Sequence, residues 1–510
     1  MKLSLLTYVI IIESSLKNIH LEVVMKRDKF MKGLLIVLAC MLFAGCTSRP
    51  AQEKEQTSSF KIMFWDEQYF FQQYGDLFAI GHPNVNIEVV NMNSIYNSSN
   101  GEQIDYEKAF SDFLEKEQPD VILLDSSNYE KFVNDGKLME LDTFIARDKY
   151  DTESIYPALI ELLKEKGGGK LYGLAPTFSG NAIFYNADLF AKYGIELPHD
   201  GMTWQEILDL ARRFPTEGDK DTRVYGFGVQ YGMSMENLAS YIASAQGLQF
   251  LNPDTMKVTI NTDSWKQTYK LAMDAIDSKA IYIPDENGFQ GGTMEEYYKS
   301  RPFLMGRVAM SVESPYLLQD MKQAQDVITD YKPFQLGVAA GPVDPADPQT
   351  TRSLYFSDIF AIRANSPNAD AAWEFIKFIN GEEFARVKSR TLNNGLLSRM
   401  GISTEYNGVN LEAFYKLKPK FDSNSSRDYA KIPDDFYMQY QPILEREMKL
   451  AQEKKKSIDE ALQTVQDEAQ ALLDKALKDE AAKKGTEGNA ESDASGVTTE
   501  GAETSESSGQ

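Results

Sequence analysis

The sequence predicts an α/β chain of two or more compact units, and three observations carry that expectation. Its 510 residues are enough for more than one core of ordinary domain size. Short apolar runs alternate with amphipathic stretches of helical period, which is the order of a sheet whose strands are joined by helical crossovers. One such run, inside Pro119–Asp125 (PDVILLD), is apolar at consecutive positions, as a strand covered on both faces requires.

At the N-terminal end a short apolar run, Leu3 to Ile12, is too brief to span a bilayer. Residues 1–24 are expected to be an upstream extension, with translation from Met25 the simpler reading and Met1 and Met31 open as alternative starts. Met25 to Lys32 supplies a basic segment, and Gly33 to Ala44 an apolar one before Gly45-Cys46, the order of a secretory signal. Ala44-Gly45-Cys46 resembles the lipobox of bacterial lipoproteins, with Phe43 where leucine is usual; the resemblance implies acylation at Cys46 and anchorage at the outer face of the cell membrane. Residues 46–59 (CTSRPAQEKEQTSS) are polar and aperiodic, as a tether is.

The first β-α-β unit is Phe60 to Trp65, the aromatic-rich helical stretch Tyr69 to Ile80, and Ile87 to Val90 after a His82-Pro83-Asn84 turn. Tyr106 to Glu117 then reads as a helix, Pro119 to Asp125 as the buried strand, and Asp125-Ser126-Ser127 as a loop at its C-terminal end, where open α/β sheets place ligands. A helix over Tyr129 to Asn134 follows.

In Lys170–Phe214 two short apolar strands, Leu171 to Leu174 and Ala182 to Tyr185, flank a Pro-broken polar crossing, Ala175 to Asn181. Thr203 with Glu206 then opens a helix at capping-box spacing. Locally this order fits a plain hairpin as well as a passage between two units. Val224 to Val229 reads as a strand, residues 230–236 as a loop, and Asn237 to Gln246 and Trp265 to Ser278 as helices. Phe303 to Ser311 is a strand, with Glu313 to Tyr316 a loop behind it. Leu336 to Ala340 and Leu354 to Ile362 are further strands, Ser366 to Ile379 a capped helix, and residues 421–430 another crossing. Phe436 to Met448 and Ser457 to Leu477 close the chain as helices, and residues 478–510 are expected to be disordered for want of aromatic and apolar side chains.

Several of these segments carry a resemblance. KLYGLAP (Lys170–Pro176), IFYNADLFAKYGI (Ile183–Ile195), TWQEI (Thr203–Ile207), the Pro119-Asp120-Val121 strand with GKLMEL at Gly136–Leu141, FLMGRVAM (Phe303–Met310) and the helix SPNADAAWEFIKF (Ser366–Phe378) are similar to the signature of bacterial extracellular solute-binding proteins of family 1, the maltose-binding-protein type. The likeness runs from about Phe60 to Leu477. It implies a two-lobed periplasmic-binding-protein-like fold of type II with a hinge and an interlobe cleft. The expected lobes are 60–176 with 355–422, and 177–354 with 423–477. It further implies a monomeric lipoprotein that captures a small solute, by family habit a carbohydrate, and hands it to the permease of an ABC transporter. No catalytic role and no cofactor is expected.

Composition bears on partners. A formal net charge of −23 opposes nucleic acid or anionic lipid as the main partner. The cysteines, Cys40 and Cys46, both precede the expected body, and His20, His82 and His199 are too few for a multi-histidine metal site or a convincing Ser-His-Asp set. Glu217 to Asp221 resembles a calcium loop only in part, without its glycine or its distal glutamate. Aromatic faces with carboxylates and amides around them suit a polyhydroxylated ligand. The expected cleft segments offer Trp65, Asp66, Asp125, Ser126, Ser127, Thr177, Phe178, Ser179, Asn181, Tyr231, Asn237, Glu313, Tyr316, Phe356, Ser357, Phe436 and Tyr437. Tyr316 falls where the family's maltose-binding member has a stacking tryptophan. Trp65, Phe356 and Phe436 read equally as core aromatics, Asp66 and Asp125 as helix caps, and the serines as turn formers. A non-sugar polar or cationic solute, service to a membrane sensor, and a secreted glycoside hydrolase using Asp66, Glu67, Asp125 or Glu313 stay open as alternatives.

Overall fold

The computed structural model describes residues 57–96, 106–220, 222–229, 233–284, 289, 291–356, 358–393, 395–420 and 432–494. The expected signal segment with Cys46, Tyr231, Ser357 and the crossing at 421–430 lie outside them. Ser59–Pro83 and Ile87–Gln510 form one compact unit, to which the following description applies. The other unit, Met1–Ser58 with Asn84–Asn86, is described only at residues 57, 58 and 84–86, where the Ser58 N–H donates to the Asn84 carbonyl at 3.2 Å.

Two sheets organise the large unit, each at the centre of a lobe. The first is five-stranded, with Ser58–Phe64 between Val85–Asn91 and Val121–Leu124, then Ile359–Ile362 and Gly173–Leu174. Ile62 pairs in parallel with Val121, whereas Ile359–Ile362 runs antiparallel to Leu124–Val121. All side chains of Val121–Leu124 and of Ile359–Ile362 are buried, which is why neither run alternates in polarity. Helix Ala369–Ile379 buries Trp373, Phe375 and Ile376, and its Phe375 ring packs 5.9 Å from Phe360 of this sheet. The Phe375 ring lies 5.2 Å from Phe60, 5.3 Å from Phe78 and 5.6 Å from Phe70, so aromatic packing fills the lobe's centre. Buried Asp120 accepts from the Lys61 N–H at 2.8 Å, the Ser366 hydroxyl at 2.6 Å and the Asn368 amide at 3.1 Å, tying strand to helix start.

The second sheet is four-stranded, ordered Leu336–Ala339, Ala182–Asn186, Val308–Glu313, Tyr225–Phe227. Ala182–Asn186 runs antiparallel to both neighbours, and Val308–Glu313 runs parallel to Tyr225–Phe227. Helix Trp204–Ala211 starts in the expected capping box of Thr203 and Glu206. Helices Met235–Gln246, Asp263–Asp277, Asp434–Gln452 and Ile458–Ala494 enclose the same core. On the last helix Gln470 accepts from the Val258 N–H at 2.9 Å and Gln466 from the Asn261 N–H at 3.2 Å, which docks it on the lobe.

Gly173–Leu174 and Ala182–Asn186 belong to different sheets, so residues 175–181 pass between lobes and form no hairpin. Within that passage Thr177–Phe178 pairs with Leu396–Leu397. Ser179 and Tyr355 exchange backbone hydrogen bonds at 3.0 and 2.8 Å, setting the outgoing passage beside the returning one. Gly180 suits this place because a Cβ there would lie 2.2 Å from the Leu354 side chain.

Some expectations need correction. The helix after Asp125 begins at Ser126, not Tyr129, because the Asp125 carboxylate caps it. The run Leu354 to Ile362 is strand only over Ile359–Ile362. Beyond Lys478 the chain stays helical to Ala494, where disorder was expected; alanine, lysine and glutamate favour the helix even without an apolar face to bury.

Candidate functional site

The site grows from strand ends that point to one region. Where Ser58–Phe64 stops, Trp65 remains 37% exposed, its ring 5.2 Å from Tyr96, while its carbonyl accepts from the Asn93 amide at 2.9 Å. The Asp66 carboxylate accepts from the Tyr69 N–H at 2.7 Å and so caps the helix Glu67–Phe70. Asp125, at the end of Val121–Leu124, does the same for Asn128 at 2.8 Å and also accepts from the Asn128 side chain at 3.1 Å. Capping orients these carboxylates without enclosing them. Ser126 and Ser127 occupy the first helical turn rather than a loop.

The second lobe contributes its own strand end. Glu313 closes Val308–Glu313 and accepts from the buried Ser311 hydroxyl at 2.8 Å. Only residues 314 and 315 separate it from helix Tyr316–Val327, so the expected loop shrinks to a turn and Tyr316 becomes the first helical residue. Its hydroxyl donates to the Asn393 carbonyl at 2.9 Å.

Half-exposed tyrosines gather near carboxylates at these strand ends. Burial, followed by the charges of Asp358 and Asp66, raises the Tyr69 pKa. Burial, followed by Tyr355, Tyr69 and Asp358, raises that of Tyr316. Tyr69, Tyr316, Tyr355, Asp66 and Asp358 therefore share one electrostatic neighbourhood although Tyr316 comes from the second lobe. Tyr69 is 43%, Tyr316 40% and Tyr355 50% exposed. Asp358 accepts from the Tyr74 hydroxyl at 2.7 Å, which holds it just before the inner strand Ile359–Ile362 of the first sheet. Two flanking pairs extend the region. Tyr96 has its pKa raised by burial and then by Asp125, and Tyr241, stacked on Trp204, has its pKa raised by burial and then by Glu313.

Other expected residues lie apart from these faces. Phe178 is buried against Tyr156 and Tyr415, at 5.6 and 5.2 Å, and Thr177 is buried in the same two-stranded ladder. Phe356 is buried beside exposed Tyr355. Phe436 is fully buried in the second-lobe core, stacked on Tyr440, and Tyr437 packs on Phe250. The rings of Phe178, Phe356 and Phe436 thus fill cores and present no face to a cleft in this arrangement. Ser179 works through its backbone in the passage, and its hydroxyl is buried without a partner among the described residues. Asn181 accepts through its carbonyl from Ser353 at 3.3 Å, and exposed Asn237 lies in the first turn of its helix. Sequence reasoning missed Tyr69, Tyr96, Tyr241, Tyr355 and Asp358. A usable signal existed in Leu354-Tyr355-Phe356, where one of two adjacent aromatics in an extended passage must face outward.

The model of the family described as bacterial extracellular solute-binding protein matches residues 60–385. A binding protein of Brucella abortus (strain 2308) is 28% identical over 257 residues, 49% of this chain and 57% of that protein. The match thus spans little more than half of that relative's length. The arabinooligosaccharide-binding protein of Bacillus subtilis (strain 168) is 23% identical over 357 residues, 69% of this chain and 75% of that protein. Among solved structures, the sugar-binding protein MalE of Xanthomonas citri is similar with a TM-score of 0.56 at 16% identity, over 82% of this chain and 98% of that one, a likeness of fold. With most of the two-lobed body inside the matched range, the chain belongs to the bacterial extracellular solute-binding protein family.

Proposed function

We propose that the chain is the capture component of an ABC importer for a carbohydrate, an oligosaccharide, which it binds between its lobes by hinge closure and delivers to the permease. The observation that carries this reading is the set of half-exposed tyrosines, Tyr69, Tyr316 and Tyr355, drawn from both lobes around Asp66 and Asp358. Tyrosine rings supply apolar faces for sugar rings, and carboxylates accept from hydroxyls. A ligand touching both lobes favours the closed form, so binding and closure are coupled. Trp65 with Tyr96 and Asp125, and Tyr241 with Glu313, would extend the ligand path on either side. The name of the Bacillus subtilis relative supports the oligosaccharide assignment.

In this proposal the lobes are 60–176 with 355–422 and 177–354 with 423–477. Cys46 carries the lipid that holds a monomeric receptor at the outer face of the membrane. Among the described residues no helix is long and apolar enough to cross a membrane. A second reading, a cationic or amine-bearing solute, draws support from the carboxylates of Asp66, Asp125, Asp358 and Glu313 at these strand ends.

A thermal-shift screen of the protein against mono- and oligosaccharides, amines, amino acids and short peptides tests both. A concentration-dependent rise with saccharides is the expected result, because a ligand of the folded form alone must raise Tm. A rise confined to amines would replace the sugar with the cationic solute. Recovery of cleaved saccharide would overturn the receptor reading in favour of a glycosidase.

A further inference from the structure

Tyr316 and Gln319 lie one turn apart on the face of helix Tyr316–Val327 that meets the other lobe. Their helix is fixed to the second lobe, since Arg301 pairs with Asp320 at 2.5 Å in a nearly buried position. The segment opposite, Leu392–Asn393, belongs to the first lobe. It follows helix Glu382–Lys388, which packs beside Ala369–Ile379, and precedes Arg399, whose guanidinium donates to the Asn380 carbonyl at 2.9 Å. Leu392 is buried, its carbonyl accepts from the Gly395 N–H at 3.0 Å, and Gly395 holds a φ of +88°.

Across this junction the Tyr316 hydroxyl donates to the Asn393 carbonyl at 2.9 Å. With its amide oriented to satisfy its neighbours, the Gln319 oxygen accepts from the Leu392 and Asn393 N–H groups at 3.2 and 3.1 Å. A pair of side chains from one lobe therefore engages both the donors and an acceptor of a backbone turn in the other.

We propose that Tyr316 and Gln319 form an interlobe latch on the Leu392–Asn393 backbone, which holds the lobes together before ligand arrives and sets the closed fraction from which ligand is bound. As regulation of the cleft this rests on the receptor reading above. The latch contact itself needs only the two-lobed fold. Tyr316 has two parts to play, its hydroxyl in the latch and its ring toward the cleft. The Asn393 side-chain amide also lies 3.2 Å from the Gln319 oxygen, so the side chain at 393 adds to a latch whose other contacts run from residues 316 and 319 to backbone.

The test measures lobe separation without ligand, so failure of the sugar assignment cannot be mistaken for failure of the latch. The full chain carrying Cys40→Ser and Cys46→Ser has no other cysteine. Spin labels then go on Lys116→Cys in the first lobe and Lys270→Cys in the second, at side chains 80% and 67% exposed. Tyr316→Phe removes the hydroxyl and keeps the ring, and Gln319→Met keeps the shape and removes the acceptor. Each is expected to raise the ratio of separated to closed distances about five- to tenfold, and the double variant more, since each deletes neutral hydrogen bonds. Unchanged melting temperature shows that the variants remain folded. Superimposable distance distributions for the native and double-variant chains would overturn the latch.

Discussion

Replacing Tyr69 by alanine separates a ligand-stacking tyrosine from a structural one. Tyr69 is 43% exposed, and its backbone N–H, not its ring, is what Asp66 caps, so the helix start survives the substitution. An aromatic side chain offers about 150–250 Å², so roughly 60–110 Å² of Tyr69 is open to a ligand. Covering about half of that at ~25 cal/mol per Å² contributes about 1 kcal/mol. Stacking adds about 0.5–1.5 kcal/mol, which brings the total to roughly 2 kcal/mol, an affinity ratio of about 30. Isothermal titration with the saccharide found by thermal shift reads this directly. Tyr69→Phe should lie within a few-fold of native, because the ring carries most of the energy. An alanine variant that binds within twofold of native would refute the placement of Tyr69 in the ligand path.

Three further predictions concern the frame around the site. Asp120→Ala removes a buried acceptor serving Lys61, Ser366 and Asn368, and should destabilise the chain by about 3–5 kcal/mol in denaturant titrations, as bonds to a charged group are among the stronger ones. Gly395→Ala would place a Cβ 2.5 Å from the Phe178 carbonyl at φ +88°; a loss of roughly 1–3 kcal/mol is expected, visible as a lower Tm. Asp200 bridges the second sheet and residue 416: burial pushes its carboxyl up, but the Ala340 N–H at 2.8 Å and Lys416 at 2.5 Å outweigh this and hold its pKa below the usual carboxylate value. Its stabilising effect is then fully present above the unfolded value of about 4 and is lost as pH falls through the lower folded one. Asp200→Asn should therefore lower Tm at pH 7, with the gap to native closing toward pH 3 in a melting series.

The chain's own pattern made much of the frame legible. Consecutive apolar residues at 121–124 announced a doubly covered strand, and Thr203 with Glu206 announced a helix start that the structure reproduces. Local chemistry was less decisive for the site. The family pattern pointed to Asp66 and Asp125, and the structure shows both as caps at strand ends, a role that leaves their outer faces available. Aromatics were harder. Phe356 and Phe436 look no different in sequence from Tyr355 and Tyr69, yet the first pair is buried and the second half exposed, because which side of a passage or helix faces the core depends on what packs there.

Sequence alone determined the α/β character and most of the order of the elements, since periodicity, capping residues and the quoted motifs are local properties carried by neighbouring residues, whereas the strand order decided that residues 175–181 cross between two sheets and form no hairpin. Tertiary structure alone decided that Tyr69, Tyr316, Tyr355 and Asp358 share one neighbourhood, and that Tyr316 and Gln319 meet the backbone at 392–393. Those meetings join residues far apart in the chain. They exist only once two separately built cores fix the directions in which the side chains point.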